Sequence, residues 1–202
     1  YEMAVKTWGE GWYDNLKGGG NVWEAMTYDE KLGLLYIGVG GSAIDPRTRG
    51  KNIGDELFTT SIVALDAKTG EYVWHFKMNP KDGWNYEPSI GIMISELPLG
   101  SNGENKRVVI SVPKNGFVFV IDARTGKYIS SNNYVDVNWT TGHDENGRPI
   151  YTEQAQWWKQ SPGTKVRIKP GGMGSHSFDA LAYDPSKNVL FIPAMNLDYD
   201  YA

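Results

Sequence analysis

Short apolar runs alternate with polar turns along this chain, each with the length and the β-branched or aromatic content of a strand. They are Leu34 to Val39 (LLYIGV), Ser61 to Asp66 (SIVALD), Glu71 to Met78 (EYVWHFKM), Arg107 to Val112 (RVVISV), Phe117 to Asp122 (FVFVID) and Val189 to Pro193 (VLFIP). No window carries a sustained helical period bracketed by caps. The pattern predicts an all-β fold assembled from hairpins.

Two of the turns share one design. LDAKTGEYVWHF and IDARTGKYIS both read apolar-Asp-Ala-basic-Thr-Gly, around Asp66 and Asp122. The Asp and Thr side chains of such a turn can bond its own backbone, and Gly70 and Gly126 can take the positive φ the reversal needs. A looser pair, TYDEKLGLLYIGV from Thr27 and AYDPSKNVLFIPA from Ala182, runs Tyr-Asp, polar turn, apolar strand. Hairpins recurring at these separations predict stacked or radial sheets, since propeller blades repeat about every 40 to 50 residues. The same hairpins would suit a plain β-sandwich. Between Asn132 and Ser175 lies a long polar excursion with little strand pattern. Its aromatics, Trp157 and Trp158 among them, predict that it packs down rather than staying disordered.

Composition excludes several classes of function. The 202 residues suffice for one domain with a real core, and 24 Gly with 13% aromatics suit a hairpin-built protein. Lys and Arg number 20 against 24 Asp and Glu, a net charge of −4 without a like-charged block. Neither nucleic acid nor an anionic membrane is therefore an expected partner. No apolar run approaches the roughly 18 residues that would span a bilayer. Cysteine is absent, so the chain has no disulfide framework or thiolate metal site. No charged-then-apolar leader follows Tyr1, so any export signal is expected to lie outside this segment or to have been removed.

In GGGNVWEAM, Gly18 to Met26, three glycines precede a tryptophan that needs a surface for its flat apolar face. By itself such a residue is more often a core tryptophan docking between sheets, a role that Trp74 fits especially well. In chain order, GGGNVWEAMTYDEKLGLLYIGVG, TTSIVALDAKTGEYVWHF, PKNGFVFVIDARTGK and GGMGSHSFDALAYDPSKNVLFIPA strongly resemble the middle of a quinoprotein alcohol dehydrogenase. That family forms eight-bladed β-propellers with antiparallel four-stranded blades and uses pyrroloquinoline quinone (PQQ). The resemblance runs from about Thr7 to the end. It implies that residues 1–202 are part of a single propeller domain whose remaining blades lie elsewhere in a longer chain.

The resemblance implies site residues as well. Trp23 falls where the family has the tryptophan floor beneath the tricyclic quinone, and an indole offers area and polarisability to a flat conjugated ring. Lys114, in PKNGF, falls where the family has a Lys or Arg reaching the quinone oxygens, to stabilise charge on the reduced cofactor. The family also employs calcium or a lanthanide as Lewis acid and a carboxylate that takes the alcohol proton while hydride passes to PQQ. An alcohol substrate, a cytochrome c or similar electron acceptor and a periplasmic location are implied with them.

At three places the sequence departs from the pattern. GVGGSA leaves Gly41 where the family's metal-binding asparagine stands, and KDGWN leaves Asn85 where its catalytic aspartate stands. Ser177, in GSHS, replaces an asparagine near the cofactor. An amide does not titrate near neutrality and cannot act as a general base. Either the propeller persists as a non-catalytic binding module, or the site is rearranged. In the second case Glu87, at the place of an extra aspartate ligand in lanthanide-using relatives, shares a face with Asn85 on an extended segment. Asn85 would be a neutral metal ligand and Glu87 a ligand or base, with Asp82 a more distant candidate. A sugar-binding module is a further class, because aromatic faces stack on sugars too. His75 sits inside a strand run, His143 in a Gly-His-Asp turn, and His176 reads as a packed hydrogen-bonding residue; none of the three belongs to a pair or triad with metal spacing.

Overall fold

The period-two runs build antiparallel meanders, as the alternation requires. The computed structural model of the chain describes residues 2–9, 19–24, 26–49, 54–88 and 90–202, so Gly18 lies outside the described residues. After a single helical turn, α1 (Glu2–Val5), the first sheet comprises β1 (Met26–Asp29), β2 (Leu34–Val39), β3 (Ser61–Asp66) and β4 (Tyr72–Lys77) in sequence order. The second comprises β5 (Ile92–Pro98), β6 (Asn105–Ser111), β7 (Phe117–Asp122) and β8 (Tyr128–Asn133), again in order. These are two four-stranded blades. Among the described residues three two-stranded sheets follow them.

Three apolar runs, β2, β3 and β7, match the expected strands end to end. The run Glu71 to Met78 shortens to Tyr72–Lys77, Arg107 to Val112 shifts to Asn105–Ser111, and Val189 to Pro193 shortens to Val189–Phe191. The strands without a sequence signal, β1, β5 and β8, all lie at sheet edges, where side chains are only partly covered and alternation fades.

The repeated turns work as their composition predicts. Asp66 Oδ1 accepts from the Lys68 and Thr69 amides, both at 2.9 Å, and Gly70 follows at φ +74°. Asp122 Oδ1 accepts from the Thr125 amide and hydroxyl at 2.8 Å, and Gly126 follows at φ +72°. Asp29 and Asp184 cap the looser pair of turns in the same way. In a meander alternate connections lie at the same end. The Asp-headed turns therefore share one end of each sheet, and the long connections after β2 and β4 emerge at the other, together with the short one after β6.

The two sheets pack through the faces that alternation turns inward. Trp74 lies against Gly126, where a Cβ would come within 2.6 Å of the indole, and donates its ring N–H to the Ala123 carbonyl at 3.1 Å. The Tyr36 hydroxyl donates to the same carbonyl at 2.9 Å. Phe76 stacks on Tyr128 at 6.1 Å and meets Phe119 at 5.9 Å. At the polar margin Arg107 grips the fully buried Asp29 bidentately, at 2.6 and 2.8 Å. Burial alone would raise the Asp29 pKa, but Arg107 and the Leu32 and Lys31 amides bring it below the ordinary carboxylate value.

The excursion contains more strand than its sequence suggests: β9 (Thr140–His143), β10 (Pro149–Tyr151) and β11 (Val166–Ile168), with a 3₁₀ turn at Trp157–Lys159. Each strand is too short to display a period. β12 (Ala182–Asp184) and β13 (Val189–Phe191) form the late hairpin, and β14 (Tyr199–Tyr201) pairs with β11. The excursion packs down as expected, with Trp139 and Ala155 completely buried. Among the described residues no helix is long and apolar enough to cross a membrane.

Two predictions follow from this packing. Arg107→Leu should leave the Asp29 carboxylate buried without its cation and destabilise the protein by about 2–4 kcal/mol, read as a lowered denaturation midpoint. His143, edge-on to Phe117 at 4.6 Å, has its pKa pushed by burial from 6.5 down to about 4. Between those values the unfolded chain takes up a proton that the folded chain refuses, so stability should fall as pH drops through the window. His143→Gln should flatten that fall in urea-denaturation midpoints measured across it.

Candidate functional site

The long connections enclose an open cavity of about 830 Å³. Its walls come from the segment before β1 (Trp23), the β2–β3 connection (Gly40, Gly41), the β4–β5 connection (Asn85, Glu87) and the chain after β11 (Phe178). The entry strand is tied down by backbone: the Gly20 amide donates to the Gly41 carbonyl at 2.9 Å, and the Gly40 amide to the Asn21 carbonyl at 2.8 Å. Gly19, at φ +112°, lets the two segments touch, since a Cβ there would meet the Gly41 carbonyl oxygen at 2.6 Å.

Trp23 therefore does not dock between sheets. Its ring is 39% exposed, lines the cavity and leans on Phe178 at 5.3 Å with a tilt of 53°. The Lys114 ammonium stands 5.9 Å from the indole centroid. Lys114 is held from below: its backbone carbonyl accepts from the Ser175 amide at 3.0 Å, and Gly174, at φ +85°, packs where a Cβ would lie 2.6 Å from the lysine Cβ. Lys114 and Glu87 are both buried and form an ion pair at 3.0 Å.

Asn85 and Glu87 reach the same cavity by different means. Asn85 sits at φ +71°, a left-handed conformation that asparagine tolerates better than most residues, and donates its amide to the Gly172 carbonyl at 3.1 Å. Gly41 contributes only backbone, and its carbonyl is already engaged by Gly20. Ser177 is buried and is not part of the cavity wall. His176 is fully buried and bridges the Val112 and Asp179 carbonyls at 3.0 and 2.9 Å, a packing role. Thus Trp23, Gly41, Asn85 and Glu87 line one cavity, Lys114 joins them through Glu87 and the Trp23 ring, and Ser177 is not among the lining residues.

Asp82 is more central than its sequence suggests. Its Oδ1 accepts from the Trp84 amide, and its Oδ2 from the Asn85 and Tyr86 amides, all at 3.1 Å. This carboxylate folds the loop that presents Asn85 and Glu87. Burial, and then the neighbouring Glu87 charge, push the Asp82 pKa up to about 6. Arg49, whose guanidinium is buried and paired with Glu56 at 3.0 Å, donates to the Lys81 and Asp82 carbonyls and anchors the same loop. The Asp three residues before Asn85 was a readable sign of a side-chain-capped turn; Arg49 had no local sign at all.

The residues fit a flat anionic cofactor beside a hard cation. An exposed indole face borders a cavity, an ammonium stands over its edge, and Glu87 Oε2 is buried with no hydrogen-bond partner. Among the described residues no three of His, Cys, Asp and Glu converge as metal ligands, so the charged donors here are two carboxylates. Trp84 holds the loop in place, donating to the Ala155 carbonyl at 2.9 Å within a cluster of Tyr86, Trp139, Tyr151 and Trp158.

The family described as PQQ: glucose/ethanol/alcohol dehydrogenase, β-propeller domain, matches residues 2–149. The lupanine 17-hydroxylase [cytochrome c] of a Pseudomonas species is 45% identical over 193 residues, 95% of this chain and 27% of that protein. The structure of quinohemoprotein alcohol dehydrogenase ADHIIG from Pseudomonas putida HK5 superposes with a TM-score of 0.88 at 41% identity, over 96% of this chain and 28% of that one. A europium-containing methanol dehydrogenase superposes with a TM-score of 0.82 at 29% identity, over 94% of this chain and 32% of that one. The chain thus spans a little over a quarter of the length of the curated relatives it matches.

The support beneath the loop can be tested at Gly83. A Cβ there would lie 2.6 Å from the Trp158 ring and 2.9 Å from Pro46. Gly83→Ala should force one of them aside, costing on the order of 1–3 kcal/mol in thermal or urea unfolding.

Proposed function

Because the chain belongs to the PQQ glucose/ethanol/alcohol dehydrogenase β-propeller family, we propose that the protein containing it oxidises an alcohol with PQQ and a bound calcium or lanthanide ion. The observation that carries this reading is the exposed Trp23 ring at a cavity wall shared with Asn85 and Glu87, with the Lys114 ammonium above its edge. Bound PQQ would supply a hydride acceptor, and the cation a Lewis acid at its carbonyl.

The chain's own residues supply the rest. Trp23 offers a flat apolar face for stacking, and Phe178 buttresses it through a tilted ring contact. Lys114 places a cation where negative charge must be stabilised. Asn85 cannot accept the alcohol proton, so its amide oxygen serves as a neutral ligand, and the Glu87 carboxylate serves as ligand or base. The remaining blades would complete the site. Two relatives have cytochrome c or quinohemoprotein in their names, which supports a cytochrome-type electron acceptor, and a periplasmic location accords with that chemistry. The europium-containing relative supports including lanthanides among the metals tested.

Asn85 and Gly41, at positions that carry a catalytic and a ligating side chain in the family, favour a second reading: a propeller that binds a ligand on this face without turning it over. Reconstitution of the full-length protein separates the two. PQQ with calcium, and separately with a lanthanide, should give dye-coupled alcohol oxidation. Trp23→Ala should weaken PQQ binding at least tenfold with little change in melting temperature. PQQ binding without turnover under both metals would establish the second reading, and no PQQ binding at all would overturn the first.

A further inference from the structure

Two buried carboxylates face the same side of Gly41. A Cβ built on this glycine would lie 3.5 Å from Asp82 Oδ2 and 3.9 Å from Glu87 Oε2, so both oxygens border the space that the missing side chain leaves open. Their charges are incompletely balanced. The Lys114 ammonium bonds Glu87 Oε1, leaving Oε2 buried with no hydrogen-bond partner on a residue only 6% exposed. Arg49 is committed to Glu56 and to two backbone carbonyls. Asp82 is met only by backbone amides, Trp84 on Oδ1 and Asn85 and Tyr86 on Oδ2, so among the described residues no side-chain cation pairs with its charge.

We infer that Asp82 and Glu87 jointly ligate a hard cation across the bare Cα of Gly41, with Gly41 making the room and Asp82 supplying the oxygen that Gly41 lacks. This rests on the metal-dependent reading proposed above and goes beyond it. The rearranged-site reading takes Asn85 and Glu87 as ligands and Gly41 as the place of a lost one, whereas the geometry adds Asp82 and gives Gly41 a steric role. Oxygen-only donors in flexible geometry suit calcium or a trivalent lanthanide. The Lys114 bond to Oε1 turns Oε2 towards the site.

Terbium ion, added alone to the metal-stripped full-length protein, provides a readout independent of turnover, because nearby tryptophans sensitise its luminescence. The unaltered protein should bind it, and calcium should displace it. Asp82→Asn should weaken terbium binding at least tenfold, with circular dichroism unchanged. If that variant fails to fold, Gly41→Ala decides: its methyl makes only ordinary contacts in the free protein, yet it fills the space between the two oxygens, and it should weaken binding by a similar factor. Terbium binding as tight in Asp82→Asn as in the unaltered protein, with loss only in Glu87→Gln, would overturn the inference and leave the metal-dependent reading standing. Absence of terbium and calcium binding in the unaltered protein would overturn both.

Discussion

The placement of Trp74 on Gly126 sets the geometry on which the rest of this structure depends. Two twisted meanders can approach closely only where one face offers a groove, and a glycine in the β7–β8 turn provides it. The indole fills that groove and satisfies the Ala123 carbonyl, to which Tyr36 also donates. Once this contact and the Asp29–Arg107 pair fix the two sheets, the connections at their far ends have no freedom over which neighbours they meet. The cavity is a consequence of sheet docking rather than of any one loop.

Division of labour between the two ends follows from chain reversal alone. At one end short Asp-headed turns close on their own side chains and need nothing from elsewhere. At the other, the connections are longer and cannot satisfy their own polar groups. They borrow partners across the fold: Arg49 bonds the Lys81 and Asp82 carbonyls, Ser175 bonds Lys114, and Trp157 donates to the Gly83 carbonyl at 3.0 Å. Chemistry-bearing side chains gather where the backbone is irregular, because only irregular backbone can point several of them into one space.

The excursion explains why a loop can be rigid enough to hold such a site. Its polar composition conceals a few large aromatics, and Trp139, Trp157 and Trp158 cover the loop that carries Asp82, Asn85 and Glu87. The hydrophobic surface buried there offsets the entropy of ordering a segment with little regular secondary structure. The cost is two buried carboxylates near one another, only one of them ion-paired, and this electrostatic tension distinguishes the far end from the self-sufficient turns.

The sequence alone determined the local features. Short apolar runs located the inner strands β2, β3 and β7, whose side chains are buried or half-buried throughout. The Asp-Thr-Gly spelling specified its turns, whose hydrogen bonds close within a few residues. The family resemblance pointed to Trp23, Gly41, Asn85, Glu87, Lys114 and Ser177 as candidate site residues. The edge strands β1, β5 and β8 escaped notice because partial exposure weakens the pattern. Only the tertiary structure decided that Trp23 lines a cavity while Trp74 docks between sheets, two fates open to any indole. It alone left Ser177 out of the cavity lining and made Arg49 and Asp82 the anchors of the loop that carries Asn85 and Glu87. Those relations join residues far apart in the chain, and distance across a folded interior leaves no periodic trace along a sequence.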